Sequence, residues 1–141
     1  MSKNGDALNA AVAAWNAGDL DGYLTLYDES IRLHGYAPVP LDKAGVRGFY
    51  QMIHTALTAA GAASPALRLE EVIEQGDRIA ARFALTGEHR GPFMGVPTTG
   101  RSITLSGITI MHFRDGRVTE RWATADMLGL LVQIGAWSPP G

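Results

Sequence analysis

The side chain in this sequence best placed to move a proton is Asp126, which follows the last predicted strand in an apolar neighbourhood of Trp122, Met127, Leu128 and Leu130. A carboxylate desolvated there would have its pKa raised toward neutrality, where a general acid or base works best. Asp126 also reads as the N-cap of a C-terminal helix, and the two roles are compatible. His112, late in a predicted strand from Ile103 to Phe113, titrates near neutral pH and is suited to act as an acid or polar donor. As a strand residue beside a hairpin it reads equally well as a solvated histidine. The same pair of readings holds for His34, which closes the first predicted strand, and for His89, at the entrance to a Gly/Pro-rich loop. His54 falls beside an apolar helix stripe and reads as a surface or interface residue. Trp15, Phe49, Tyr50, Met52, Met94 and Trp122 read as core, and are also the residue types that line a pocket for a flat apolar ligand.

Other chemistries lack a signature. The sequence holds no HExxH, no GxSxG and no GxGxxG, the four histidines are dispersed, and there is no cysteine for a disulfide, nucleophile or thiolate metal site. Gly95 to Ser102 resembles a phosphate loop with Arg101 in place of lysine. That loop needs a helix N-terminus behind it, whereas Ile103 to Ile110 is β-branched and strand-like, so the segment reads as a turn between strands.

The positioning elements follow from periodicity. Leu8, Ala11, Val12 and Trp15 share one face of a helix from Asp6 to Asn16, and Asp19 caps a short helix carrying Leu20, Tyr23, Leu24 and Tyr27. Ile31 to His34 alternates as a strand. The two prolines of Tyr36 to Leu41 make a loop. Asp42 caps the longest helix, with Val46, Phe49, Tyr50, Ile53 and Leu57 on its apolar stripe. Period two then takes over in Leu67–Glu74, Ile79–His89, Arg101–Arg114 and Arg117–Ala125, with Gln75-Gly76-Asp77 and Arg114-Asp115-Gly116 as hairpin turns. Gly91 to Gly100 is a loop, and Met127 to Ile134 a final helix that ends at Gly135. Helices first and antiparallel strands after predict an α+β domain over residues 1–141, its helices packed on the concave face of a curved sheet that bends at Gly87 and Gly107.

Register constrains the pairing of Asp126 with His112. If Phe113 lies opposite Val118, Asp126 shares the parity of Phe113 and not of His112. A bulge, for which Gly107 is a possible site, or departure of the chain from the sheet is needed to bring them together.

Composition narrows the partners. Twelve basic against 14 acidic residues give a net charge of −2, with only 18% charged residues and no basic run, which disfavours nucleic acid and anionic membranes as partners. No apolar stretch reaches the ~20 residues of a membrane span. The start shows no secretory signal, so a cytoplasmic protein is expected. Glycine, at 17 residues, exceeds the usual ~7%, which points to tight turns, bulges or close backbone approaches.

The residues also carry a family resemblance. From about Leu8 to Trp137 the chain resembles the SnoaL-like polyketide cyclases, or ester cyclases, of the nuclear transport factor 2-like superfamily. The markers are Leu33-His34, the stretch from Gly87 to Arg101 with its GVPTTGR turn, Phe113 to Trp122, and the ending from Asp126 to Gly135. The resemblance implies a cone-shaped fold, self-association as a homodimer or homotetramer, no cofactor, and a small apolar or aromatic substrate. In such cyclases an aspartate at the position of Asp126 removes an acidic proton. A histidine fourteen residues earlier, at His112 (126 − 112 = 14), assists at the carbonyl, and the reaction is an intramolecular aldol closure. Two alternatives stand beside it: a non-catalytic binder of an apolar metabolite, and a hydrolase or dehydratase of the same superfamily. The hydrolase would need paired carboxylates, and Asp126 has no evident acidic partner.

Overall fold

The computed structural model describes residues 2–140. Helices α1 (Lys3–Asn16) and α2 (Leu20–Leu24) lead into strand β1 (Tyr27–His34), then α3 (Lys43–Leu57), β2 (Ala66–Gln75), β3 (Arg78–Glu88), β4 (Ser102–Arg114), β5 (Arg117–Ala125) and α4 (Met127–Gln133). The strands form one sheet in the order β1-β5-β4-β3-β2; β1 runs parallel to β5 and every other pair is antiparallel. Among the described residues no helix is long and apolar enough to cross a membrane.

Polar caps set the helix starts. Asp19, Asp42 and Asp126 each accept a hydrogen bond from the backbone N–H three residues on, as expected of N-caps. Helix α1 begins three residues before the expected Asp6, because Ser2 Oγ accepts from Gly5 N at 2.9 Å. Strand β1 is twice the expected length. Its first half, Asp28-Glu29-Ser30, looks like a turn because it is one locally: Asp28 accepts from both the N–H and the hydroxyl of Ser30, and the pairing with β5 shifts there.

Helices α1 and α3 pack on one face of the sheet. The inner face of β3 carries Ile79, Ala81, Phe83 and Leu85, and that of β4 carries Ile103, Leu105, Thr109, Met111 and Phe113, all buried. Trp15, Tyr50, Ile53 and Leu57 complete the core from the helices. The outer face is open and partly apolar, with Ile73, Ile108, Ile110 and Trp122 all exposed.

Gly107 does not hold a bulge. It pairs regularly with Phe83 and Ala125, and it is glycine because a Cβ there would lie 2.5 Å from the Phe83 ring and 2.8 Å from Thr124 O. The bulge lies instead at the hairpin end. Phe113 pairs with Val118 as expected, but His112 pairs with Glu120, so Thr119 is the extra residue. Helix α4 closes the edge of β4 left unpaired where β5 stops. The Gln133 side chain accepts from Thr104 N at 2.7 Å and donates to Thr104 O at 2.8 Å.

Candidate active site

The Thr119 bulge decides which side chains of β5 face inward. A one-residue slip moves every later side chain to the other face of a sheet. Without the bulge Val118, Glu120 and Trp122 would point to the core together. With it Arg121 pairs with Met111 and faces in, while Glu120 and Trp122 pair with His112 and Ile110 on the outer face.

Arg121 is 6% exposed. Its Nε donates to Thr109 Oγ1 at 2.8 Å, and Nη1 donates to Tyr27 Oη at 2.7 Å and to Tyr50 Oη. Tyr27 and Tyr23 share a further hydroxyl bond of 2.6 Å. No Asp or Glu pairs with this guanidinium among the described residues. Burial alone would weaken its hold on its proton, but the surrounding phenols, Tyr27 and Tyr50 foremost, offset that and raise its pKa well above the ordinary arginine range. Burial likewise raises Tyr23, Tyr27 and Tyr36, so these three phenols keep their protons at physiological pH and do not supply the charge that a carboxylate partner would.

These groups form one wall of a cavity of about 60 Å3 between the sheet and helices α1 and α3. The rest of the lining is apolar, including Leu8, Ile53, Leu69, Phe83, Leu85 and Met111. Trp15, Tyr23 and Tyr50 stand edge to face, with centroids 5.0 to 5.4 Å apart, which fixes the phenols in place. The Trp15 indole N–H is already taken by Pro65 O at 2.8 Å. Tyr36 and Phe49, both half-buried, stack at 4.4 Å on the lining.

Of the residues proposed from sequence, Trp15, Phe49 and Tyr50 line this cavity. The others lie elsewhere. His34 and Trp122 are on the outer face, where the His34 ring stacks on Trp122 at 5.1 Å and Nε2 lies 2.6 Å from Glu120 Oε2. His112 leans on the other side of Trp122 at 4.9 Å. The bulge is the physical reason that Trp122 is outside. Met52 and Met94 are exposed, the latter in a turn at φ 49°. His89 is fully buried under the Gly/Pro-rich loop, held by Thr99 at 2.9 Å, and does not reach the cavity. His54, expected at the surface, is half-buried against Trp15 at 4.2 Å.

Asp126 is exposed, and its Oδ1 accepts from Gly129 N at 2.8 Å as the cap of α4. The bulge does give Asp126 and His112 the same parity: Asp126 N bonds Ser106 O, and Ser106 and His112 share the outer face. They are nonetheless far apart. His112 pairs with Glu120, six residues before Asp126 (126 − 120 = 6), or roughly 20 Å along a strand rising about 3.3 Å per residue.

Arg121, Thr109, and Tyr23 and Tyr27, which the sequence places on a helix face, are not among the site residues expected from sequence; Tyr27 begins β1 rather than extending α2. Arg121 sits between Glu120 and Trp122 and reads as an ordinary solvated charge. The one available signal is Thr109 within the apolar run from Ile103 to Phe113, a polar residue on an inward-facing parity.

Helices on one face of an open, mostly antiparallel five-stranded sheet, with a cavity between them, are the α+β fold of nuclear transport factor 2-like structures. Within that class the chain belongs to the SnoaL-like polyketide cyclase family, whose model matches residues 5–134. It is 30% identical over 144 residues to the aklanonic acid methyl ester cyclase DnrD of Streptomyces peucetius, covering 99% of this chain and 97% of that one. It is also 30% identical over 129 residues to the nogalonic acid methyl ester cyclase of Streptomyces nogalater, covering 88% and 91% of the two chains. Among solved structures, AclR of Streptomyces galilaeus, a hydroxylase candidate, superposes with a TM-score of 0.86 at 26% identity, over 100% of this chain and 90% of that one.

Proposed function

We propose that the cavity is the active site of a polyketide-cyclase-type enzyme that binds an aromatic carbonyl substrate and stabilises its enolate oxygen through Arg121 and the phenols around it. The observation that carries this reading is the buried guanidinium without a carboxylate partner, facing an otherwise apolar cavity. The kinship with ester cyclases supports it.

A carbon between two carbonyls is already acidic. A fixed cation and hydrogen-bond donors in a water-poor site stabilise the charge on its enolate oxygen. In this reading the proton departs to water as substrate binds. The enolate carbon attacks a second carbonyl of the same molecule, and the new alkoxide takes up a proton. The cavity is smaller than the ~150 Å3 that accommodates benzene. A multi-ring substrate therefore enters only as lining side chains move, and the half-buried Val12, Tyr36, Phe49, Leu67 and Leu69 are the ones with least to displace.

The general-base role that the family pattern implies for Asp126 is a separate reading, supported by that pattern alone. The test uses one substrate, an aromatic methyl ester bearing a 1,3-dicarbonyl side chain. Arg121→Gln is expected to lower kcat/KM by roughly 10²–10³, the usual effect of removing one oxyanion donor. Asp126→Asn is expected to stay near wild type. A loss of roughly 10²–10⁴ in Asp126→Asn, with Arg121→Gln near wild type, would move the chemistry out of the cavity and refute the proposal. Tight binding without turnover would favour the non-catalytic binder.

A further inference from the structure

The electrostatics of the cavity go further than its shape. Arginine only donates hydrogen bonds and does not shed its proton in proteins. Arg121 spends Nε on Thr109 and Nη1 on Tyr27 and Tyr50, while Nη2 has no hydrogen bond within the described residues. Each phenol oxygen that accepts from Nη1 keeps its own proton to donate. Tyr23 and Tyr27 share one bond between two hydroxyls, and Tyr27 also bonds the Tyr50 side chain, so two bonds cannot use all the hydroxyl protons of this group. The cavity thus holds a full positive charge and an excess of donors, with no acid to answer them.

A buried charge left without a counter-charge is costly. A ligand that brings a negative oxygen relieves that cost and forms charge-assisted bonds, roughly twice as strong as neutral ones. A neutral ester or ketone of the same shape offers only a dipole. We infer that the cavity selects aromatic ligands bearing an anionic oxygen, a carboxylate or an enolate, over their neutral counterparts, and that Arg121 is the residue that sets this preference. The inference rests on the cavity being the ligand site, as proposed above.

Isothermal titration at pH 8 tests it with two matched pairs: 1-hydroxy-2-naphthoate against its methyl ester, and 1,3-indanedione, present as its enolate, against 1-indanone. In the wild-type protein each anion is expected to bind at least about tenfold more tightly than its neutral partner. Whichever pair shows the wider gap identifies carboxylate or enolate as the preferred oxygen. In Arg121→Gln the gap is expected to fall below about twofold, and in Tyr50→Phe, which keeps the charge, to narrow without closing. The wild-type comparison stands even if a variant folds poorly. Anions and neutral partners binding equally, or the neutral ones more tightly, would overturn the preference and leave the cavity as the ligand site. Failure of all four compounds to bind would refute the cavity itself, and the preference with it.

Discussion

The two faces of the sheet carry two polar clusters built from neighbouring residues of the same strands, and only one of them is withdrawn from water. On the outer face Glu120, His34, Trp122 and His112 assemble an acid, two imidazoles and an indole within contact distance. That is the inventory usually sought for acid–base work, yet the His34 and Glu120 side chains remain 31% and 38% exposed. On the inner face Arg121, Tyr27, Tyr50, Tyr23 and Thr109 hold no conventional acid or base pair, and all five are buried. Water screens the outer charges and leaves the inner one almost unscreened. Burial, more than residue type, decides where chemistry can be concentrated in this fold.

The bulge at Thr119 is the cause of this difference between the two faces. Deleting Thr119 would remove the extra residue and make the β4–β5 pairing regular, with Glu120 still opposite His112 and Arg121 still opposite Met111. The inner face would keep its guanidinium, so cooperative unfolding is expected when this variant is heated under circular dichroism, whereas Arg121→Glu puts an unpaired carboxylate on that face and is expected to abolish it. Loss of cooperativity on deleting Thr119, or an Arg121→Glu variant that melts like the wild type, would contradict this assignment of the two faces.

A much smaller effect separates the histidines of the two regions. Burial lowers the His54 pKa, so the folded state takes up its proton later than the unfolded chain does. Its contribution to stability is therefore complete above the ordinary histidine pKa of ~6.5 and is lost as pH falls through that value toward the depressed folded pKa. His54 is only half-buried, so the shift is modest. The wild-type protein should lose slightly more Tm between pH 7.5 and pH 5 than His54→Gln. Equal losses would mean that His54 is as well solvated as the histidines outside.

Much of the fold is legible in the sequence because its signals are local. Asp19, Asp42 and Asp126 cap the helices expected of them, the Arg117–Ala125 strand has its expected bounds, and Phe113 opposes Val118. The site is less legible, since it depends on one residue outside the repeat. Read with strict alternation, Val118 and Trp122 share a face and make Trp122 a pocket residue. Thr119 reverses that, and nothing in its type announces a bulge. The spacing of Asp126 from His112 is similarly silent about distance, because a hairpin pairs His112 with Glu120 and leaves Asp126 at the far end of β5. Arg121 is invisible for the same reason, as an arginine between a glutamate and a tryptophan gives no hint that it will be buried without a counter-charge.

The three tryptophans offer the most direct test of the central claim that the inner face carries the function. Trp15 lines the cavity, Trp122 lies on the outer face against His34 and His112, and Trp137 follows α4 near the C-terminus. In a ¹⁵N–¹H spectrum each indole N–H gives its own signal, and the protein can be titrated with 1-hydroxy-2-naphthoate. The Trp15 signal is expected to shift and saturate while those of Trp122 and Trp137 stay in place. A saturating shift of Trp122 with Trp15 unmoved would contradict that claim and move the ligand to the outer face.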